Sequence, residues 1–154
     1  MTTAGIRVFP PVIAAVGIAV GLVLTFLYPV PIVEPPTTRA LLGLGIVFFA
    51  LFLLLAVSAN VTFRRSGTPA NPFAATKALA QHGPYRFTRN PMYLGLVLMT
   101  IGFALVMNSM WIVLMAVPVL LLLRNLVIVK EERYLEELFG DEYRAYLKRV
   151  RRWL

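Results

Sequence analysis

Residues 91–129 read PMYLGLVLMTIGFALV, then MNS, then MWIVLMAVPVLLLLRNLVIV. The runs at about 91–106 and 110–129 are apolar, and crossing a bilayer takes about 20 apolar residues, with a range of about 17–25. The connection Met107-Asn108-Ser109 is too short for anything but an antiparallel helical hairpin. Pro118 predicts a kink in the second arm. Outward toward the N-terminus lie two more spans, about 8–28 and 40–63, separated by a stiff turn containing Pro29, Pro31, Pro35 and Pro36. Gly17 and Gly21, four apart, would let another helix approach the first span closely. Its apolar run is too long for a cleaved signal peptide, and no small-residue cleavage site follows it. Toward the C-terminus, residues 130–154 change character. Tyr134, Leu135, Leu138 and Phe139, then Tyr143, Tyr146, Leu147 and Val150, recur at helical spacing among charged residues. Gly140 divides them, which predicts two amphipathic helices on the membrane surface. The expected fold is all-α: one integral membrane domain, 1–154, with about four transmembrane helices plus C-terminal amphipathic helices. No internal repeat is evident.

The composition agrees. Of 154 residues, 59% are apolar and 14% charged, against roughly 45–50% and about 25% in soluble domains. A soluble chain of this size could not hide so much apolar surface. No cysteine is present, which excludes disulfide scaffolds, thiolate metal sites and cysteine nucleophiles; the lone histidine, His82, excludes a His-rich centre. No metal is expected. The net charge is +8, and residues 124–154 hold 8 of the 15 Lys and Arg. These charges flank apolar spans and do not line one polar face, so the positive-inside rule accounts for them and a nucleic-acid partner is not expected. Arg64, Arg65, Lys77, Arg86 and Arg89 share a side with the basic tail, two spans away. That side is the expected cytoplasmic one. Counting two more spans places the N-terminus, with Arg7, there too.

Two stretches carry chemistry. The loop at 66–90 is polar, rich in Pro and Gly, and too long for a simple connection. It ends in GPYRFTRNPMYLG, 83–95. Asn90 is a good N-cap and Pro91 a good first helical residue, so the third span should begin there. Its open N–H groups, with Arg89 beside them, would attract a carboxylate or phosphate. Tyr85 and Tyr93 offer flat amphipathic surfaces; Gly83 and Gly95 permit close approach. The competing reading is an interfacial belt of Tyr and Arg. The second stretch begins at Glu131 and Glu132, where the fourth span leaves the membrane. A carboxylate there suits an ammonium group, although a solvated helix laced with Glu/Arg pairs would look the same. Arg124 lies about two turns inside the span and either snorkels to the headgroups or pairs with a ligand. The two stretches sit at the two ends of one hairpin. Together they suit a zwitterionic ligand that carries an amino acid.

GPYRFTRNPMYLG at 83–95, followed by a hairpin and EERYLEELFGDEYRAYLKRV at 131–150, resembles the isoprenylcysteine carboxyl methyltransferase family and its phospholipid-methyltransferase-like relatives. The likeness covers roughly residues 69–152. It implies a multi-span helical enzyme that binds S-adenosylmethionine at the cytoplasmic face, releases S-adenosylhomocysteine, and takes a lipophilic acceptor from the bilayer. The resemblance further implies a cofactor site comprising Lys77, Ala78, Leu79, Ala80, Tyr85, Arg89, Asn90, Pro91, Met92, Tyr93 and Glu131, with Asn90 where the family usually has histidine. An arginine that steers the substrate carboxylate in the isoprenylcysteine enzymes is matched here by Val127. Arg124, almost two turns before Glu131 and on nearly the same helical face, is the candidate contact for an acceptor carboxylate, and no residue is assigned to catalysis itself.

The resemblance implies methyl transfer to a lipophilic acceptor, as in protein-S-isoprenylcysteine O-methyltransferases, while Val127 leaves prenylcysteine itself unassigned as the acceptor. Alternatives are N- or O-methylation of a phospholipid or small hydrophobic metabolite, or a non-catalytic membrane adaptor. A transporter is disfavoured, since 8–28 and 40–63 contain no charged residue.

Overall fold

The structure is a computed structural model and describes residues 5–6, 8–34, 38–67 and 76–153. Arg7, Pro35, Pro36, residues 68–75 of the loop and Leu154 lie outside the described residues. The helices are α1 (Pro10–Leu27), α2 (Thr38–Arg65), α3 (Pro91–Val106), α4 (Met110–Leu122), α5 (Val129–Phe139) and α6 (Asp141–Arg149). A 3-10 turn, Gly83–Arg86, precedes α3, and a π-helical segment, Leu123–Ile128, links α4 to α5. No strand occurs among the described residues.

Three helices are long and apolar enough to cross a membrane: α1, α2, and the continuous helix Met110–Phe139. The fourth, α3, is a mostly apolar helix of 16 residues, about 24 Å at 1.5 Å per residue, which is short of a hydrocarbon core of about 30 Å. By contrast α2 has 28 residues. It therefore runs past the start of α3, and its last turns form a wall above that start, against the 3-10 turn. The protein is an integral membrane protein in which α3 begins deep relative to the end of the longer α2.

Packing follows the small residues. α1 lies along α4 and α2 along α3, while α3 also meets α4. α1 and α2 make no extensive contact with each other. Gly17 and Gly21 are buried against α4, facing Val119 and Ile112. Gly95 serves the same purpose between α3 and Phe52 of α2, so its missing side chain admits a neighbouring helix and not a ligand.

The hairpin end is held by side chains. Asn108, at φ +48, accepts from the backbone N–H of Ile32 and Val33 at 2.9 and 3.1 Å and donates to the Val33 carbonyl at 2.8 Å. Ser109 caps α4 by accepting from the Ile112 N–H.

The last third differs from expectation in two respects. α4 continues through Pro118, and a departure from α geometry that the sequence did not announce comes at Leu123–Ile128. A π-turn spends an extra residue per turn, so residues beyond it are rotated relative to those before. In addition, Met110 to Phe139 is one helix, broken at Gly140, where φ is +51. The apolar faces of α5 and α6 are turned onto the 76–90 loop: Tyr143, Tyr146 and Val150 pack with Leu79. The loop thus takes the surface that was expected to meet the membrane.

Candidate active site

The site is built where the deep start of α3 meets the loop, α5 and the chain's last residues. Gly83 turns the loop at φ +58, and a Cβ there would lie 2.6 Å from the Thr62 hydroxyl on α2. The 3-10 turn that follows buries Tyr85, whose ring packs 5.2 Å from that of Phe63 on α2. Tyr146 of α6 donates its hydroxyl to the Tyr85 carbonyl at 2.7 Å. Burial, with the charge of Glu131 behind it, pushes the Tyr85 hydroxyl well above its ordinary pKa. Burial also pushes Tyr146 up to about 12 against the pull of Arg89 and Arg149. Both are neutral donors at any working pH.

Pro91 is the first residue of α3, as expected, but Asn90 does not cap it with its side chain. The Asn90 amide instead donates to the Arg152 carbonyl at 3.0 Å. The Thr88 hydroxyl donates to the same carbonyl at 3.0 Å, and the Arg89 N–H to the Arg151 carbonyl at 3.0 Å. Residues 150–153 therefore form a strap tied to the segment before α3. The first N–H groups of α3 keep no side-chain cap and border a cavity.

The two adjacent glutamates have different partners. Glu131 accepts from the Tyr93 hydroxyl at 2.8 Å, and no Lys or Arg lies within ion-pair distance of it among the described residues. Glu132 takes both arms of Arg152, at 2.9 and 2.6 Å, and Arg89 at 3.4 Å. Arg89 Nε is buried with no hydrogen-bond partner among the described residues. Arg152→Gln should cost about 1.5–3 kcal/mol, the usual worth of hydrogen bonds to a charged group. A lowered melting temperature in detergent checks this; an unchanged melt would mean the strap contributes nothing.

These groups face one cavity of about 690 Å³, within the range of about 300–1,000 Å³ typical of ligand sites. Its polar wall holds Arg89, Glu131, Tyr85, Tyr93, Tyr134 and Tyr143. Its apolar wall descends to Phe52, Ala56, Leu96 and Met99, and Phe9, Pro10 and Pro11 close it from α1. Of the residues expected at the cofactor, Ala78, Leu79, Ala80, Tyr85, Arg89, Asn90, Pro91, Met92, Tyr93 and Glu131 all line it. Lys77 is exposed and does not.

Arg124 is also exposed and outside the cavity. The spacing that put it on the face of Glu131 holds only for a regular α-helix, and the π-segment intervenes. Val127 is fully buried against the α1–α3–α4 core and does not reach the cavity either. Sequence reasoning named Glu132 beside Glu131 but not its pairing with Arg152 and Arg89, and it missed Arg152, Tyr146 and Asn60 as members of this site. The apolar stripe containing Tyr143 and Tyr146 was visible, but nothing local said that a loop would cover it.

The residues fit S-adenosylmethionine: a carboxylate without a cation suits its ammonium, an unmatched guanidinium N–H suits its carboxylate, and aromatic rings suit its adenine.

An uncharacterized protein of Haemophilus influenzae (strain ATCC 51907 / DSM 11121 / KW20 / Rd) is similar to this chain, 41% identical over 63 residues, which is all of that protein and 41% of this chain. No solved structure matches. Residues 39–142 match the phospholipid methyltransferase family, a stretch that runs from the start of α2 into α6 and takes in the loop, the deep start of α3 and both glutamates. With that span covered, the chain belongs to the phospholipid methyltransferase family.

Proposed function

We propose that the chain is an S-adenosylmethionine-dependent methyltransferase acting on a lipophilic acceptor at the cytoplasmic face of the membrane. One observation carries this reading: Glu131, without a cation, and Arg89, with an unmatched buried N–H, share a cavity that continues into apolar walls. The side is assigned from Arg64, Arg65, Arg86, Arg89 and the basic tail, which gather at the cavity end. That assignment puts the C-terminus in the cytoplasm, and the N-terminus with it.

When bound, S-adenosylmethionine supplies an electrophilic methyl group on a sulfonium that leaves neutral, so no acid is required. Glu131, oriented by Tyr93, holds the ammonium end. Arg89, oriented by Glu132, and the open N–H groups of α3 hold the carboxylate end. Tyr85, Tyr134 and Tyr143 enclose the site and exclude water. The protein's contribution is alignment, since displacement requires the acceptor about 3–3.5 Å from the methyl carbon. The acceptor comes from the bilayer, and α1 and α2, which hardly touch, leave the lateral route open over α3.

Titrating the purified protein with S-adenosylhomocysteine by calorimetry tests the reading. Saturable binding at one site is expected, with transfer of label from S-adenosylmethionine into extracted lipid. A folded protein with no binding would instead be a membrane adaptor.

A further inference from the structure

The helix α1 reaches the cavity with its first turn, Phe9, Pro10 and Pro11. These residues lie outside the stretch 39–142 that carries the family match, so the edge they form is this chain's own. Its chemistry is unusual for a helix start. Pro10 and Pro11 have no backbone N–H, so two of the donors that a helix N-terminus normally exposes are missing. The Phe9 carbonyl accepts from the Val12 N–H at 2.9 Å. The edge is therefore apolar and stiff, and the Phe9 ring is the part of it that can swing. Phe9 borders the cavity and is half exposed, which places it at the rim.

What stands across the rim follows from the packing. Gly17 seats α1 on Val119 of α4. One turn nearer the cavity end, Ile13 and Ala14 are buried in a core with Tyr93 and Leu96 of α3, and Phe52 of α2 packs against that core. A helical turn is about 3.6 residues, so one further turn toward the cavity end leads from Ile13 to Phe9 on α1. On α2, which runs the opposite way, it leads from Phe52 to Ala56. Phe9 and Ala56 both line the cavity, and α1 and α2 make no extensive contact with each other. Met92, Leu96 and Met99 of α3 supply the floor between them. The result is a slot with a broad ring on one edge and a methyl group on the other.

We infer that the apolar chain of the methyl acceptor crosses the cavity wall in this slot, and that the Phe9 ring sets the width of chain that can be held. The inference rests on the methyltransferase reading and adds a specificity-determining residue to it. An edge without donors over an apolar floor holds hydrocarbon at no cost, whereas a polar group resting there would lose its water without replacement. The chain therefore occupies the slot while the head group lies inside. Phe9 selects by width and takes no part in the transfer.

The test uses the full chain in nanodiscs, loaded with S-adenosylhomocysteine and offered hexadecanol and phytanol at equal mole fraction. The two alcohols share a head group and a main-chain length, and phytanol is wider by its methyl branches. Native mass spectrometry reads the ratio in which they are bound. Phe9→Ala is expected to raise phytanol relative to hexadecanol by about tenfold, the lower end of what a methylene-sized change in an apolar pocket is worth. Ala56→Leu narrows the slot from the other edge and should move the ratio the opposite way, which keeps the test decisive if Phe9→Ala fails to fold. Val12→Ala, on the outer groove between α1 and α4, should keep the wild-type ratio. A merely structural role for Phe9 would lower both alcohols alike. An unmoved ratio in the Phe9 and Ala56 variants, or a wild type that holds neither alcohol, would overturn the assignment. A wild-type chain that takes no S-adenosylhomocysteine by calorimetry removes the methyltransferase reading and the acceptor slot with it; cofactor-product binding with an unmoved ratio removes the slot alone.

Discussion

Glu131→Gln is expected to weaken S-adenosylhomocysteine binding by about 100-fold, or about 3 kcal/mol, while the protein stays folded. The substitution keeps the shape of the side chain and its bond to Tyr93, since an amide oxygen can accept from the hydroxyl at 2.8 Å. It removes only the charge. Losing a charge partner in a desolvated site costs about 2–5 kcal/mol in comparable interfaces, because the ligand's ammonium is then buried unpaired. The unbound protein should be no less stable than the wild type: Glu131 has no cation to lose, and its removal relieves repulsion with neighbouring Glu132. Calorimetry together with a thermal melt separates the two effects. Retained affinity would show that the ammonium end lies elsewhere, and a collapsed melt would show that Glu131 is structural.

Gly21→Leu should have the largest effect on stability. A Cβ at Gly21 would sit 3.0 Å from Ile112 Cα and 3.2 Å from Ile112 N. Backbone cannot yield as a flexible side chain can, so α1 must move off α4. Overpacking usually costs about 1–3 kcal/mol, and a substituent aimed at backbone belongs at the top of that range. The loss of α1 would also take Phe9, Pro10 and Pro11 from the cavity wall. Gly43 supplies the contrast, since a Cβ there meets nothing within 4 Å. Gly43→Leu should therefore melt with the wild type. Equal melts for the two variants would show that the α1–α4 contact is not what holds the first helix.

What could be read from the sequence was local. The three-residue turn at 107–109, the glycine pair of α1, Pro91 as a helix start and the break at Gly140 each follow from a few neighbouring residues, and each is in place. The residues that line the cavity were legible for a related reason, because most of its polar wall lies in two short strings at the ends of one hairpin. What escaped depends on distant chain. Asn90 has the chemistry of a cap, but the Arg152 carbonyl, 62 residues away, claims its amide. The tyrosines of α6 form a stripe that fits a headgroup layer as well as a loop, and periodicity cannot choose between them. Arg124 was misplaced because counting by 3.6 assumes an unbroken α-helix. The π-segment that breaks the count carries no Gly or Pro within Leu123–Ile128 to announce it.

The strap has a consequence for biogenesis. A ribosome delivers the chain from its N-terminus, so the membrane helices can settle in the bilayer well before Arg151 and Arg152 emerge. Until those two residues arrive, Thr88, Arg89 and Asn90 lack the carbonyls that anchor them, and Glu132 lacks its stronger partner. The cavity is thus completed only by residues that leave the ribosome after every membrane helix, and a nascent chain passes through insertion with this chamber still unassembled.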